Sequence, residues 1–223
     1  GHPCYVAASI EEAWKLAAAL SNPIMAGELG GYMPSGFHMN NSPAQLIRTC
    51  DHQRPVVMVS SAGTRLLGKS SSCRHVYITC LRNFEAVANH IIGRHNRIAL
   101  IGAGSRGEFR EEDQLCCAWV GDRLVKAGYK PENALTEQVI QMWGNTGCLI
   151  CRSGKSAAYL ERTGQLEDLD FIVDHVNDIR AVYRLQGRQV VCERQPHVDV
   201  EEDCAAMASH QRARQRKDTA NGI

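Results

Sequence analysis

The chain has 223 residues, a formal net charge of +1 at pH 7 and an apolar share of 44%. This length predicts one or two domains, and the apolar share is sufficient for a buried core. The near-neutral charge argues against a general nucleic-acid-binding surface, and no window reaches the ~18 apolar residues that a membrane span needs. We therefore expect neither nucleic-acid nor membrane partners.

Strands alternate with helices along the first ~130 residues, and several local signals mark their ends. Ser9 and Glu12 form a capping box at the start of the first helix, and Gly128 is placed to end a long helix. The predicted strands are 3–8, 24–28, 56–60, 75–79, 97–101, 181–185 and 189–193, the last two forming a hairpin, and the predicted helices are 10–20, 44–50, 65–67, 84–92, 111–127, 135–143 and 153–161, with helix or loop at 169–175.

This alternation predicts an α/β fold, a layered sheet with helices on both faces. We expect a single domain over residues 1–195. Apolar periodicity ends near Pro196, and a basic run follows at 212–217. Residues 196–223 are therefore predicted to form a polar, flexible C-terminal tail.

Ten cysteines are many for an intracellular chain. Because several fall inside predicted strands or helices, we expect mostly buried free thiols that pack as small hydrophobic groups. Cys148 and Cys151 form a Cys-x-x-Cys pair, which is a weak indication of zinc or redox chemistry without a second pair or a nearby histidine. The composition fits a reducing, cytoplasmic location.

The glycine-rich segment at 102–107 is the most informative motif of the chain. It reads G-x-G-x-x-G after the predicted strand at 97–101, which is the fingerprint of dinucleotide-binding folds. Such folds also need a further strand that ends in an acid about 20 residues on, and none is predicted here. The three acids at 111–113 would repel a pyrophosphate unless a cation were bound. The segment therefore favours a metal-assisted phosphate site, with dinucleotide binding as the less favoured alternative.

Three other polar loops follow predicted strand ends. Glu28 ends the second strand between glycines, residues 40–43 read Asn-Asn-Ser-Pro, and residues 60–64 read Ser-Ser-Ala-Gly-Thr. Ligands of open α/β sheets bind at the carboxyl ends of strands, so these loops predict a shared site. Oxygen ligands such as those of Glu28, Glu112 and Asp113 suit Mg²⁺ better than zinc.

In order and spacing, these motifs resemble the 2-phosphosulfolactate phosphatase (ComB-like) family of coenzyme M biosynthesis, over about residues 3–180. Two positions depart from the family pattern: Ala62 replaces the asparagine of Asn-Gly-Thr, and Asn40 stands where glycine commonly precedes Asn-Ser-Pro. The segments that carry the resemblance are the glycine-flanked Glu28, Gly36-Phe37, Asn41-Ser42-Pro43, the 60–64 loop and Glu112-Asp113.

The resemblance implies a ComB-like fold and an enzyme, a Mg²⁺-dependent phosphatase that hydrolyses the phosphate monoester of a small acid such as 2-phosphosulfolactate. It implies that Glu28, Glu112 and Asp113 are catalytic and hold the metal, directly or through water. The substrate would be bound by Asn41, Ser42, Ser61, Gly63, Thr64, Gly104 and Arg106, with Arg106 pairing with a carboxylate or sulfonate.

The family pattern begins with a strand and a helix that this sequence lacks. We therefore expect either that this sequence is a fragment of a longer chain or that a separate polypeptide supplies a complementing N-terminal fragment. We also expect a homo-oligomer. Two alternatives stay open. In the first, the chain is a family member that hydrolyses or rearranges another small molecule in specialised metabolism. In the second, it is a non-catalytic subunit completed by a separate N-terminal polypeptide.

Overall fold

A computed structural model describes residues 2–48, 53–105 and 107–193. Within these ranges, six strands form one sheet in the order β2-β3-β1-β6-β5-β4. The strands are β1 (Cys4–Ala7), β2 (Ile24–Gly27), β3 (Val56–Val59), β4 (Tyr77–Ile78), β5 (Val182–Gln186) and β6 (Gln189–Glu193). The helices are α1 (Ile10–Ala18), α2 (Pro43–Arg48), α3 (Gly63–Lys69), α4 (Phe84–Ile91), α5 (Glu111–Lys126), α6 (Ala134–Trp143), α7 (Lys155–Arg162) and α8 (Leu166–Asp174), with a short 3-10 helix at Cys148–Arg152.

Strands β1, β2 and β3 are mutually parallel, with β3 in the middle. Strand β6 pairs antiparallel with β1, and β5 and β4 continue the sheet in antiparallel fashion. Because parallel strands point the same way, the loops that follow β2 and β3 emerge side by side at one edge of the sheet. These are the loops that carry Glu28 and the 60–64 segment.

The two faces of the parallel half are covered by different helices, which confirms the predicted α/β layered fold. Met25 and Val57 pack on one face with Ala13 of α1. Their strand neighbours Ile24 and Val56 pack on the other face, where Leu46 of α2 covers them. Successive strand residues point to opposite faces, so a run that is apolar throughout can be buried on both sides.

Most of the predicted elements are confirmed, with ends that move by a few residues. Ser9 caps α1 by accepting the Glu12 N–H at 3.1 Å, and Gly128 follows α5 with φ +94°. The terminal hairpin forms and contributes β5 and β6 to the sheet. Residues 169–175, for which the sequence favours helix or loop, fall largely within α8.

The predicted strand at 97–101 is wrong. Ile98 and Leu100 pack against α4 and α5, whereas Ile101 is 63% exposed, and the segment forms no ladder with any described strand. Alternating burial therefore occurs as expected, but a strand also needs a neighbouring backbone to pair with. The G-x-G-x-x-G segment consequently follows a loop, which removes the strand-to-helix setting that dinucleotide binding requires.

Of the eight described cysteines, only Cys116 and Cys151 are buried, three are half-buried and three are exposed, so the expectation of mostly buried thiols is wrong for most of them. Burial raises the pKa of Cys116 to about 12 and those of Cys117 and Cys151 to about 11, so these thiols are protonated at neutral pH. Cys148 and Cys151 are both free, which gives the Cys-x-x-Cys pair no disulfide. Other described thiols, including Cys73, are exposed.

The boundary expected after residue 195 and the predicted tail at 196–223 lie outside the described residues, so both stay predictions. Among the helices that the structure describes, none is long and apolar enough to cross a membrane.

Gly27, at the end of β2, has no room for a side chain. Its φ is +140°, and a Cβ there would lie 1.9 Å from the carbonyl oxygen of Val59 on the neighbouring strand. We expect Gly27→Ala to lower the free energy of unfolding by about 3 kcal/mol or more. Urea denaturation followed by circular dichroism measures this change. The control is Gly147→Ala, because Gly147 has φ −76° and open space around it; equal effects of the two substitutions would contradict the prediction.

Candidate active site

A cavity of about 510 Å³ lies where the loops that follow β2 and β3 meet helices α5 and α7. Its wall is built from five separate parts of the chain, most of them polar. These are Glu28 and Gly31 after β2, Asn40 and Asn41 with Pro43 at the start of α2, residues 60–63 after β3, residues 103–105 with Arg110, Glu112 and Asp113 at the start of α5, and a set from α7 and α8 that includes Lys155, Ser156, Tyr159, Arg162 and Asp168.

Glu28 joins the loops that follow β2 and β3. Its carboxylate accepts the backbone N–H of Gly31 at 2.8 Å, the N–H of Ser61 at 2.6 Å and the Ser61 hydroxyl at 2.8 Å. Glu28 therefore fixes the relative position of the two loops, and it occupies N–H groups that would otherwise be available to an anion.

The turn at 60–64 is closed by a reciprocal pair. The Thr64 hydroxyl accepts the Ser60 N–H at 2.8 Å, and the Ser60 hydroxyl accepts the Thr64 N–H at 3.0 Å. Thr64 is only 4% exposed and does not line the cavity. It shapes the turn from behind, whereas Ser61 and Gly63 reach the cavity wall.

Glu112 and Asp113 enter the cavity from the first turn of α5. Asp113 accepts the Gly104 N–H at 2.7 Å, and Glu112 accepts the hydroxyl of Ser156 at 2.5 Å. Burial raises the pKa of the Asp113 carboxyl above its ordinary value, against the opposing effects of the Gly104 N–H and of Arg110. A partly buried carboxylate with a raised pKa lacks full charge compensation from its surroundings.

Helix α7 forms the wall opposite the sheet edge. The Tyr159 hydroxyl donates to the carbonyl oxygen of Gly31 at 2.6 Å, and a Cβ at Gly31 would lie 2.5 Å from that hydroxyl. Glycine at this position therefore allows the close approach of α7. Lys155, at the start of the helix, forms an ion pair with Glu108 at 2.9 Å.

Asp168 of α8 supports the 40–43 loop from below. It is 4% exposed and accepts the Ser42 hydroxyl at 2.7 Å and the Ala44 N–H at 3.0 Å. Ser42 is thus engaged with Asp168 and does not line the cavity, although its neighbour Asn41 does.

The structure brings most of the predicted site residues to this one cavity. Ser42 and Thr64 do not line the cavity. Arg106 lies outside the described residues, so its predicted role stays a prediction. The predicted residues that line the cavity are Glu28, Asn41, Ser61, Gly63, Gly104, Glu112 and Asp113.

Sequence reasoning missed the contribution of α7 and α8. The spacing of Lys155, Tyr159 and Arg162 puts a cation, an aromatic ring and a second cation on one helical face. That pattern is visible in the sequence, but it also fits an ordinary solvated face. Only the packing of α7 against the sheet edge turns it into part of a site.

The charges of the cavity are unevenly compensated. Glu28, Glu112 and Asp113 all accept hydrogen bonds from neutral donors, and none of them forms an ion pair with a described lysine or arginine.

The described residues contain no group of three or more His, Cys, Asp or Glu side chains arranged to hold a metal ion. A zinc-type site made entirely of protein ligands does not fit this geometry. Mg²⁺ fits better, because it is usually held by one or two carboxylates together with water and substrate phosphate.

The buried carboxylate of Asp168 provides a test of how the 40–43 loop is held. Asp168→Ala leaves the Ser42 hydroxyl and the Ala44 N–H without their acceptor, and we expect it to lower the free energy of unfolding by about 1–3 kcal/mol. Chemical denaturation measures the loss. Asp170→Ala on the same helix is the matched control, because Asp170 is exposed and pairs with Arg152 at the surface, an interaction of about 0–1 kcal/mol. A loss at Asp168 no larger than that at Asp170 would contradict this assignment.

Comparison with known proteins finds a matching family and relatives that share its name. Residues 3–187 match the family of 2-phosphosulpholactate phosphatases. A probable 2-phosphosulfolactate phosphatase of Clostridium beijerinckii is 33% identical over 198 residues, which cover 83% of this chain and 79% of that protein. A protein of the same name from Clostridium acetobutylicum is 31% identical over 53% of this chain and 52% of its own length. A third protein of this name, from Synechococcus, is 30% identical over 54% of this chain and 49% of its own length. The chain therefore spans about half the length of these last two relatives. The chain belongs to the 2-phosphosulpholactate phosphatase family.

Proposed function

We propose that this protein is a phosphatase that hydrolyses the phosphate monoester of a small acid and uses Mg²⁺ as its cofactor. The observation that carries the proposal is the convergence of Glu28, Glu112 and Asp113 on one cavity, where none of the three forms an ion pair with a described lysine or arginine. Such an excess of negative charge suits a site that takes up a divalent cation together with a phosphate.

Glu112 and Asp113 would hold the ion directly, because both extend from the first turn of α5 into the cavity. Glu28 would reach it through water, since its two oxygens already accept bonds from Gly31 and Ser61. When bound, Mg²⁺ would neutralise charge on the phosphoryl oxygens and favour attack by water.

The chain's own polar groups would orient the phosphate. Gly63 is the first residue of α3, where N–H groups have no partner within the helix, and Asn41 offers a side-chain amide across the cavity. The N–H groups of Ser61 and Gly104 are engaged by Glu28 and Asp113. Their part in the proposal is therefore to position the two carboxylates, more than to bind the phosphate themselves.

The names of the relatives support the substrate class. They are called probable 2-phosphosulfolactate phosphatases, and that name denotes a phosphate ester of a sulfonated carboxylic acid. The expected cytoplasmic location, the homo-oligomer and the complementing N-terminal fragment stay predictions beside this proposal.

A second candidate is the hydrolysis or rearrangement of a substrate without phosphate. It is favoured by Ala62, which lines the cavity without offering a side-chain hydrogen-bond donor. Analysis of the products separates the two candidates, because only the first releases inorganic phosphate.

The proposal predicts Mg²⁺-dependent phosphate release that depends on Glu112. With the full-length protein, we expect phosphate release from short phosphorylated acids such as 2-phosphoglycolate in Mg²⁺, and its loss in EDTA. Glu112→Gln removes a charged ligand and should lower kcat by about a hundredfold or more, by analogy with the loss of other electrostatic groups from active sites. A coupled phosphate assay measures both effects.

Glu137→Gln is the matched control for this substitution. Glu137 also lies in the first turn of a helix, α6, but it is exposed and distant in sequence from the cavity-lining residues. We expect it to keep wild-type turnover. Absence of phosphate release from a broad panel of phosphorylated acids would overturn the proposed function, and wild-type activity of Glu112→Gln would remove Glu112 from the site.

A further inference from the structure

One face of α7 carries a row of side chains along the cavity. Lys155, Tyr159 and Arg162 are spaced i, i+4 and i+7, which puts them on the same side of the helix, and all three line the cavity. Ser156, which binds Glu112, marks the end of the helix nearest the acidic residues. At 1.5 Å per residue, the backbone of Arg162 lies about 9 Å further along the helix axis.

Arg162 differs from the other cavity-lining cations in its partners. Lys155 and Arg110 both pair with Glu108, at 2.9 and 3.3 Å. Arg162 forms no ion pair with any carboxylate of the described residues; its guanidinium contacts the ring of Tyr159, 5.7 Å from the ring centroid. A guanidinium that faces a cavity without a carboxylate partner is available to an anionic ligand.

Tyr159 holds this guanidinium in place from the protein side. Its hydroxyl is fixed to the Gly31 carbonyl at 2.6 Å, so the ring cannot turn without breaking a hydrogen bond. A cation over an aromatic face keeps its N–H groups free to donate in the plane of the guanidinium. The direction of Arg162 is thereby restricted before a ligand arrives, which reduces the entropy lost on binding.

The acidic cavity makes such a cation necessary for a phosphorylated acid. A carboxylate or sulfonate adds negative charge to that of the phosphate, in a cavity that is already lined by Glu28, Glu112 and Asp113. A bound divalent cation would balance the phosphate end, but the second acid group needs its own counter-charge. Of the described lining cations, Arg162 is the one without a carboxylate partner.

We propose that Arg162 is a specificity-determining residue, which binds the carboxylate or sulfonate of the substrate while the phosphate occupies the end of the cavity near Glu112. The inference rests on the proposed function, because it assigns the second anionic group of the same substrate. It predicts that the protein discriminates phosphorylated acids from phosphorylated alcohols of the same length through this one side chain.

The test measures binding without turnover. The probes are 3-phosphonopropionate, whose carbon–phosphorus bond is not hydrolysed, and 3-hydroxypropylphosphonate, in which an alcohol replaces the carboxylate. Isothermal titration calorimetry with Mg²⁺ present should show that Arg162→Gln weakens binding of the acid about tenfold or more, since a charge-assisted bond is lost. Binding of the alcohol should be unchanged. Arg162→Lys should restore part of the difference, because it keeps the charge but not the bidentate geometry.

Two further variants sharpen the result. Arg152→Gln is the matched control, because Arg152 pairs with Asp170 and does not line the cavity, and it should bind both probes like the wild type. Arg106→Gln tests the residue to which the sequence assigns the same role. Equal weakening of both probes by Arg162→Gln, or loss of selectivity in Arg106→Gln alone, would overturn the inference.

The outcome also separates this inference from the proposed function. Selective binding of 3-phosphonopropionate that depends on Arg162, together with no phosphate release from a broad panel of phosphorylated acids, supports the anion site and contradicts the phosphatase. Phosphate release at equal kcat/KM from 2-phosphoglycolate and from 2-hydroxyethyl phosphate supports the phosphatase and contradicts the assignment of Arg162.

Discussion

The site depends on the carboxylate of Glu28, which ties the ends of two parallel strands together. The loops after β2 and β3 leave the sheet side by side, and Glu28 accepts an N–H from each of them. Hydrogen bonds to a charged group contribute about 1.5–3 kcal/mol each, so this link is among the strongest at the sheet edge. The carbonyl of Gly31, held by the same loop, receives the Tyr159 hydroxyl. The position of α7 over the cavity therefore depends on a loop that Glu28 has already fixed.

This use of Glu28 sets the electrostatics of the cavity. The loops expose fewer free N–H groups than their sequences indicate, because carboxylates of the protein take several of them. The cavity is consequently acidic, and an anionic ligand must be compensated by cations. A divalent ion near Glu112 and Asp113 and the guanidinium of Arg162 would provide this at opposite ends, whereas Lys155 and Arg110 are occupied by Glu108. Under the proposed function, affinity for a phosphorylated acid would come from charge placement more than from the glycine-rich backbone.

Local sequence signals predicted what depends on local physics. The capping box at Ser9, the C′ glycine at Gly128 and the terminal hairpin all form, because each depends on residues a few positions apart. The apolar run of β3 also became a buried parallel strand, because β1 and β2 pair with it on either side. The segment at 97–101 failed as a strand because its apolar alternation reported burial against α4 and α5, while strand pairing requires a partner from elsewhere in the chain.

By itself, the sequence determined that polar loops follow the parallel strands. It also supplied the carboxylates of Glu28, Glu112 and Asp113, which it predicts to share one site with these loops. The tertiary structure alone decided which groups reach the cavity. It turned Ser42 and Thr64 inward to support the loops, and it brought α7, about 130 residues after β2, against Gly31. The reason is physical: a residue's type and spacing fix the bonds it is able to make, but its partner is chosen by long-range packing. Tyr159 and Arg162 therefore became part of the site only when α7 packed on the sheet edge.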